Sequence, residues 1–437
     1  MLKISDNKRF IVHDDGTPFF YLADTGWEIL YRLDQDEAET YLEDRAAKKF
    51  TVIQVMGLVE HGFNMPNRYG HTALIDNDPL KPNEDYFAFM DWVIARANQL
   101  GLTIALLPTW GDKWNKAWGQ GPEVFNPENA REYGRWLGRR YVDANLIWVL
   151  GGDRPIENEN HKTIIRAMAK GVAEGDGGTH LRTFHPPGSH TSAEWMHDEP
   201  WLDFNMWQTG HDRNRDTYNA IAHDYALVPT KPCLDGEPGY EDHPASFNAA
   251  NGYLDDYDVR KSAYGAVFAG ACGHTYGCHD IWQFLNTDFA PAISAARTPW
   301  TKAINFPGAS QVQHLRRLIE SRPYLTRIPD QSLLASDPGV ASDHIQATRD
   351  ADGRYAFVYS ASGKPFAVHV SNLAGETITI HWFDPRTGES RFAGHLPKQS
   401  VKDFTPPSSG HGNDWVLVLD DLSCGFAAPG SAVYKGV

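Results

Sequence analysis

Residues 146–155 read LIWVLGGDRP: an apolar strand stops at two glycines and hands over to an aspartate, an arginine and a proline. The same grammar returns at 232–241, PCLDGEPGYE, where an apolar stub runs into Glu237 and another proline. Six more apolar runs share the pattern: FFYLAD (19–24), TVIQVMG (51–57), LTIALLPTW (102–110), LRTFH (181–185), DFNMWQ (203–208) and GHTYGCH (273–279). Between most of them lie amphipathic segments, at 34–49, 84–101, 127–142, 159–175, 215–227 and 255–270. In the second of these, Phe87, Met90, Val93, Ile94 and Ala97 recur at helical spacing and Gly101 supplies the stop. Eight strand–helix alternations predict an α/β fold, a (β/α)8 TIM barrel. A doubly wound open sheet is the runner-up, but the first strand ends LADTGW with no glycine-rich phosphate loop. The gap between the fifth and sixth strands leaves room only for a stunted helix around SAEWMHD.

After a helix near 309–322 the helical period disappears, and YAFVYSASG, FAVHVSN, TITIHWFDPRTGE and WVLVLDD alternate with turn residues. Residues 1–330 are therefore expected to form the barrel, opened by a hairpin over KISDNKRFIVHDDGTP, and residues 331–437 an antiparallel β-sandwich. That second domain reads as a structural prop; Trp382 and Trp415 fit its core as well as any exposed platform.

The net charge is -16 and no lysine-rich tract occurs, which argues against nucleic acid or an anionic membrane as partner. Many of the 14 tryptophans fall in loops or at strand ends, which favours flat ligands such as sugar rings. Cys233, Cys272, Cys278 and Cys424 form no CxxC pair, and the first three sit in or beside apolar strands as inert small hydrophobes. The first residues carry no apolar stretch of signal-peptide length, so the expectation is cytoplasmic, or periplasmic or secreted if a leader has been removed. A monomer is the default.

Active sites of such barrels collect at the C-terminal ends of the strands. Those ends carry Asp24 and Trp27; Glu60 and His61; Trp110, Asp112 and Trp114; Asp153 and Arg154; His185; Trp207, Gln208 and His211; Asp235 and Glu237; and His274, Tyr276, His279 and Trp282. No HxH pair exists, and His274 and His279 are spaced for neither a strand nor a helix face, so no metal and no cofactor is expected. A metal-dependent rival would need His185, His274 or His279 to converge. No GxSxG elbow occurs either. Glycoside hydrolysis needs two carboxyl groups, and Asp153 and Glu237 end the fourth and seventh strands, which lie opposite one another in a barrel. A turn aspartate and a structural ion pair are the plain alternatives for each. Asp235, two residues before Glu237, shares its face one layer deeper and suits an orienting role. Arg154 is expected to point elsewhere, towards a surface carboxylate or the mouth. The glycines are expected to let a sugar ring approach the backbone.

The stretches FFYLADTGWEILYRL, TVIQVMGLVE, WVLGGDRP, LDGEPGYE and RKSAYGAVFAGACGHTYGCHDIWQF resemble the apiosidase-like glycoside hydrolases of family 140. The resemblance spans roughly 10–430 and includes a C-terminal sandwich of collagen-binding type. It implies Asp153 as acid/base and Glu237 as nucleophile of a retaining, exo-acting β-apiosidase that releases apiose from plant pectin side chains or apiosylated glycosides. One departure stands out: related barrels place a glutamate after an asparagine where this chain has Gly152 and Asp153. The shorter acid requires a closer substrate or a shifted backbone. Asp24, Trp27, Trp110, Trp114, Trp207, Tyr276 and Trp282 are candidates to shape the sugar pocket, and His185, Gln208 and His279 to recognise hydroxyls. The acid is expected to be weakened by burial and by the charge of Glu237. Alternatives are a glycosidase for another furanoside or pyranoside, such as an arabinofuranoside, or a non-catalytic carbohydrate-binding barrel.

Overall fold

A computed structural model describes residues 1–434, so the last three residues of the expected second domain, 435–437, lie outside the described residues. Each of the eight apolar runs contains a strand: β1 (Tyr21–Thr25), β2 (Val52–Met56), β3 (Thr103–Leu107), β4 (Leu146–Gly151), β5 (Arg182–His185), β6 (Asn205–Gln208), β7 (Cys233–Asp235) and β8 (Gly273–Tyr276). The helices α1 (Gln35–Ala47), α2 (Glu84–Gln99), α3 (Pro127–Arg140), α4 (Glu159–Asp176), α5 (Thr217–Tyr225), α6 (Asp256–Phe268) and α7 (Pro307–Glu320) fall where the amphipathic periods put them. The chain order is that of a (β/α)8 barrel. The gap between β5 and β6 holds one helical turn, Ala193–Met196.

Short polar side chains start the helices. Asp34 and Glu37 make a reciprocal capping box for α1, as do Asn126 and Asn129 for α3 and Asp255 and Asp258 for α6. Each such cap is worth about 1 kcal/mol.

Two compact units emerge, and they cut across the boundary expected at residue 330. The first comprises 1–4, 11–210 and 277–305. Its centre is a parallel ladder in the order β1-β2-β3-β4-β5, with Ala23 opposite Val52, Val52 opposite Thr103, Ile104 opposite Leu146 and Trp148 opposite Arg182. Every residue of β1 to β4 is buried, as a parallel sheet covered on both faces requires. Near the N-terminus, Leu2–Ile4, Ile11–His13 and Pro18–Phe19 pair antiparallel.

The second unit comprises 5–10, 211–276 and 306–437, of which 435–437 are not described, and it carries β7, β8, α5, α6, α7 and the C-terminal sheets together. The sheet strands are β9 (Arg327–Pro329), β10 (Ile345–Asp350), β11 (Tyr355–Ser360), β12 (Phe366–Val368), β13 (Thr377–Phe383), β14 (Ser390–Pro397), β15 (Lys402–Phe404) and β16 (Trp415–Asp421). Six of them run antiparallel in the order β9-β10-β11-β16-β13-β14, with β12 and β15 paired separately. Alternation decides their two faces. Ala356 and Val358 enter the sandwich core with Trp382, Trp415 and Leu417. On the other face Phe357 stacks on Phe268 of α6 and Tyr359 on Tyr264.

Buried arginines complete that attachment. Arg260 of α6 pairs with Asp414 at 2.9 Å, Arg322 with Asp420 at 2.7 Å, and Arg327 donates to the carbonyls of Val267 and Ala271. A buried pair that loses one partner strands a charge, which costs about 3–5 kcal/mol. Arg260→Ala should therefore lower the unfolding free energy by about 3 kcal/mol or more in urea titrations, and Arg260→Met with Asp414→Leu should recover much of the loss.

Candidate active site

The end of β4 sets the site. Gly151, Gly152 and Asp153 have φ of 93°, 108° and 57°, three consecutive residues on the left-handed side that reverse the chain. A Cβ on Gly151 would lie 2.5 Å from the carbonyl oxygen of His185, and one on Gly152 would lie 2.7 Å from the backbone nitrogen of Gly111. The glycines thus make room for the neighbouring strand ends, not for a sugar ring. Gly111 N–H donates to Gly152 O at 2.9 Å, and Gly152 N–H donates to His185 O at 3.1 Å. Aspartate tolerates the positive φ better than most residues. The reversal leaves the Asp153 side chain 21% exposed while Arg154 turns back to full burial.

Arg154 lies between two carboxylates. Its Nη1 donates to Asp153 Oδ2 at 2.8 Å and its Nη2 to Glu60 Oε1 at 2.5 Å. The expectation that it points away from its neighbour is corrected: it binds a mouth carboxylate and Asp153 together. The indole N–H of Trp118 donates to the same Asp153 oxygen at 3.2 Å, and the Arg154 guanidinium lies 4.7 Å from the ring centre.

Around this core the sequence candidates separate. Trp27, Trp110 and His185 are buried and meet pairwise at 5.4, 5.5 and 5.6 Å. Trp110 Nε1 is buried without a hydrogen-bond partner, and so is Gln208 Oε1. Trp207 and Trp282 are partly exposed. Trp282 Nε1 donates to His279 Nδ1 at 3.1 Å, which leaves His279 Nε2–H to donate to Ser294 O at 2.9 Å; both nitrogens of His279 are thereby engaged. Trp114 is buried with its Nε1 on Gly151 O at 3.3 Å, where it braces the β4 end. Asp24 is fully buried beneath the mouth, bound by Tyr41 and Arg45. Four positions on, Glu28 is also buried, but its pKa is raised to about 7 because burial outweighs its pairing with Arg32. His61 is pulled down to about 4, mainly by burial and then by Arg32, so its neutral Nδ1 accepts from Gln120 at 2.9 Å.

In the second unit Glu237 is buried at 7% exposure. Its backbone N–H reaches Asp235 Oδ1 at 3.3 Å, so the deeper aspartate shapes the turn that presents it. His211 Nε2 lies 3.4 Å from Glu237 Oε1. Tyr240 N–H donates to His211 Nδ1 at 3.4 Å, which places the ring proton on Nε2, directed at the carboxylate. His243 stacks on His211 at 3.9 Å, and Phe247, 67% exposed, packs edge-on against both. Tyr276 is buried, its hydroxyl donating to Glu241 Oε2 at 2.6 Å.

Among the described residues no three His, Cys, Asp or Glu side chains group as metal ligands. Sequence reading placed Glu60 and His211 at strand ends without giving them a role, and it passed over Glu28, Trp118 and Phe247. Only Trp118 carried a plain signal, an indole set in the polar, glycine-rich NKAWGQGP rather than in an apolar run.

Residues 5–326 match the family described as "Apiosidase-like, catalytic domain", and residues 328–420 the family described as "Putative collagen-binding domain of a collagenase". A solved structure named glycoside hydrolase is 35% identical, with 97% of each chain covered and a TM-score of 0.89. A glycoside hydrolase family 5 structure from Bacteroides vulgatus ATCC 8482 is 33% identical with a TM-score of 0.89, over 97% of this chain and 93% of its own. Another glycoside hydrolase structure from that organism, 16% identical with a TM-score of 0.67 over 96% of this chain and 82% of its own, shares the fold alone. A search of curated proteins finds no match.

His274, on β8, is buried with both ring nitrogens unpartnered, and burial alone pulls it down to about 3. The unfolded chain gains a proton below about 6.5 while the folded ring stays neutral, so stability falls as pH drops from about 6.5 and the loss is complete near 3. His274→Phe should flatten that acid limb in urea unfolding midpoints measured across the same range.

Proposed function

This chain belongs to the apiosidase-like family of glycoside hydrolases and acts on carbohydrate, and on that premise we propose that it is a retaining, exo-acting β-apiosidase of family 140. The observation that carries the reading is the pair of carboxylates in chain order, Asp153 one glycine beyond the end of β4 and Glu237 one glycine beyond the end of β7. In this mechanism Glu237 attacks the anomeric carbon as Asp153 gives its proton to the leaving oxygen. Asp153 then takes a proton from the water that releases the sugar, and both carboxyl groups return to their starting states. His211 supports the first step by directing its Nε2–H at one oxygen of Glu237. The substrates that fit this reading are terminal apiosyl units of plant pectin side chains or of apiosylated glycosides.

The short acid has a local answer. Reversal of the backbone at Gly151-Gly152-Asp153 supplies the shift that an aspartate in place of a glutamate requires. Trp110 Nε1 and Gln208 Oε1 supply a donor and an acceptor for sugar hydroxyls. Action on an arabinofuranoside or a pyranoside, or binding without turnover, would be the competing outcomes in a screen of aryl glycosides.

Glu237→Ala should lower kcat roughly ten-thousand-fold or more on 4-nitrophenyl β-apioside with an unchanged circular dichroism spectrum, and azide should restore part of the turnover. Asp153→Ala should slow a poor leaving group by about 10²–10⁴-fold and an activated aryl leaving group much less. The first-formed sugar, followed by proton NMR, should keep its anomeric configuration; inversion would exclude Glu237 as nucleophile. Chelator treatment should leave the rate unchanged.

A further inference from the structure

Trp118 is 62% exposed, the most exposed tryptophan in the vicinity of Asp153, yet it is held in place. The strap that carries it, residues 116–123, is bound to its surroundings at Gly121 and Gln120 and closed on itself by Lys116 and Glu123. Gly121 N–H donates to Asp112 Oδ2 at 2.7 Å and Lys113 Nζ to Gly121 O at 3.1 Å. Lys116 N–H donates to Glu123 Oε1 at 2.7 Å, and Gln120 Nε2 lies 2.9 Å from His61 Nδ1. Gly119 lets the strap lie directly on the buried charges: a Cβ there would fall 2.4 Å from both Arg154 Nη2 and Asp112 Cβ. The indole itself is held by its N–H on Asp153 Oδ2 and by the Arg154 guanidinium against its face, so a ligand that covers it incurs little further ordering cost.

The position of the ring relative to Asp153 says which part of a substrate it would meet. A general acid must come within hydrogen-bond reach of the oxygen it protonates, and that oxygen belongs to the leaving group. Trp118 Nε1 donates to the carboxylate oxygen Asp153 Oδ2, so the indole lies beside the leaving group's path. We propose that Trp118 is the platform on which the leaving-group half of the substrate stacks, and hence a determinant of aglycone specificity. This rests on Asp153 being the acid. The chemistry it recognises is a flat face, either the C–H face of a pyranose ring or an aryl ring. The Arg154 cation held against the indole fixes its orientation.

The experiment uses the full chain and three glycosides of one glycone, with a pyranose, 4-nitrophenol or methanol as leaving group. Trp118→Ala should lower kcat/KM for the pyranose leaving group, relative to that for methanol, by about tenfold or more, the size of one stacking contact. Trp118→Phe, which restores a ring without the N–H, should recover most of that ratio. A loss shared by pyranose and nitrophenol supports recognition of any flat face, and a loss confined to the pyranose supports a sugar. An unchanged ratio overturns the proposal, because methanol is a poor leaving group that needs the acid yet has nothing to stack, so an effect routed through Asp153 or the fold strikes it equally. Wild-type protein that cleaves none of the three overturns the glycosidase reading of Asp153 and this proposal with it.

Discussion

The buried guanidinium of Arg154 is the interaction on which the mouth of this protein depends. It draws Glu60 from the segment after β2 and Asp153 from the end of β4 to one cation, and it supports the Trp118 ring from the segment after β3. Burying a guanidinium without partners would be prohibitive, and two carboxylates and an aromatic face make it tolerable. The reversed backbone at Gly151-Gly152-Asp153 follows from the same need, since Arg154 turns inward only if the chain folds back at once. Strain at the aspartate is the local cost, and it falls at the residue proposed to transfer the proton.

A second theme is neutral histidines used as fixed dipoles. His61, His211 and His279 each have Nδ1 occupied by a donor, from Gln120, Tyr240 and Trp282 respectively, so in each neutral ring the proton sits on Nε2. In His211 that proton faces Glu237; in His279 it serves a backbone carbonyl. An N–H fixed in this way orients the carboxylate it faces, which suits the role proposed for Glu237.

Much of the fold was legible because it rests on period. The eight apolar runs and the helical segments between them are set by which faces must be buried, and that pattern is written residue by residue. The switch to alternation after α7 was equally plain, although the compact units divide the chain differently from a cut at residue 330: α6 and the segment after α7 meet the sandwich through buried arginine pairs and stacked rings whose partners lie far apart in the chain. The site was less legible. Trp114 and Trp118 are four positions apart in one segment, yet the first is buried against Gly151 O and the second stands in water. Asp24 and Glu28 are likewise four apart, and it is Glu28, the one passed over, whose acidity is displaced to about 7.

The sequence by itself determined the barrel order, the sandwich, and the two strands that end in Asp153 and Glu237, because strand and helix periods and the residue at a strand's end are local properties of the chain. Tertiary structure alone decided that the glycines before Asp153 serve neighbouring backbone rather than ligand, that Arg154 binds the residue beside it, and that His211 reaches Glu237. Those outcomes depend on which loop ends crowd together and where buried charges find partners, and neither is encoded in the spacing of residues along one strand.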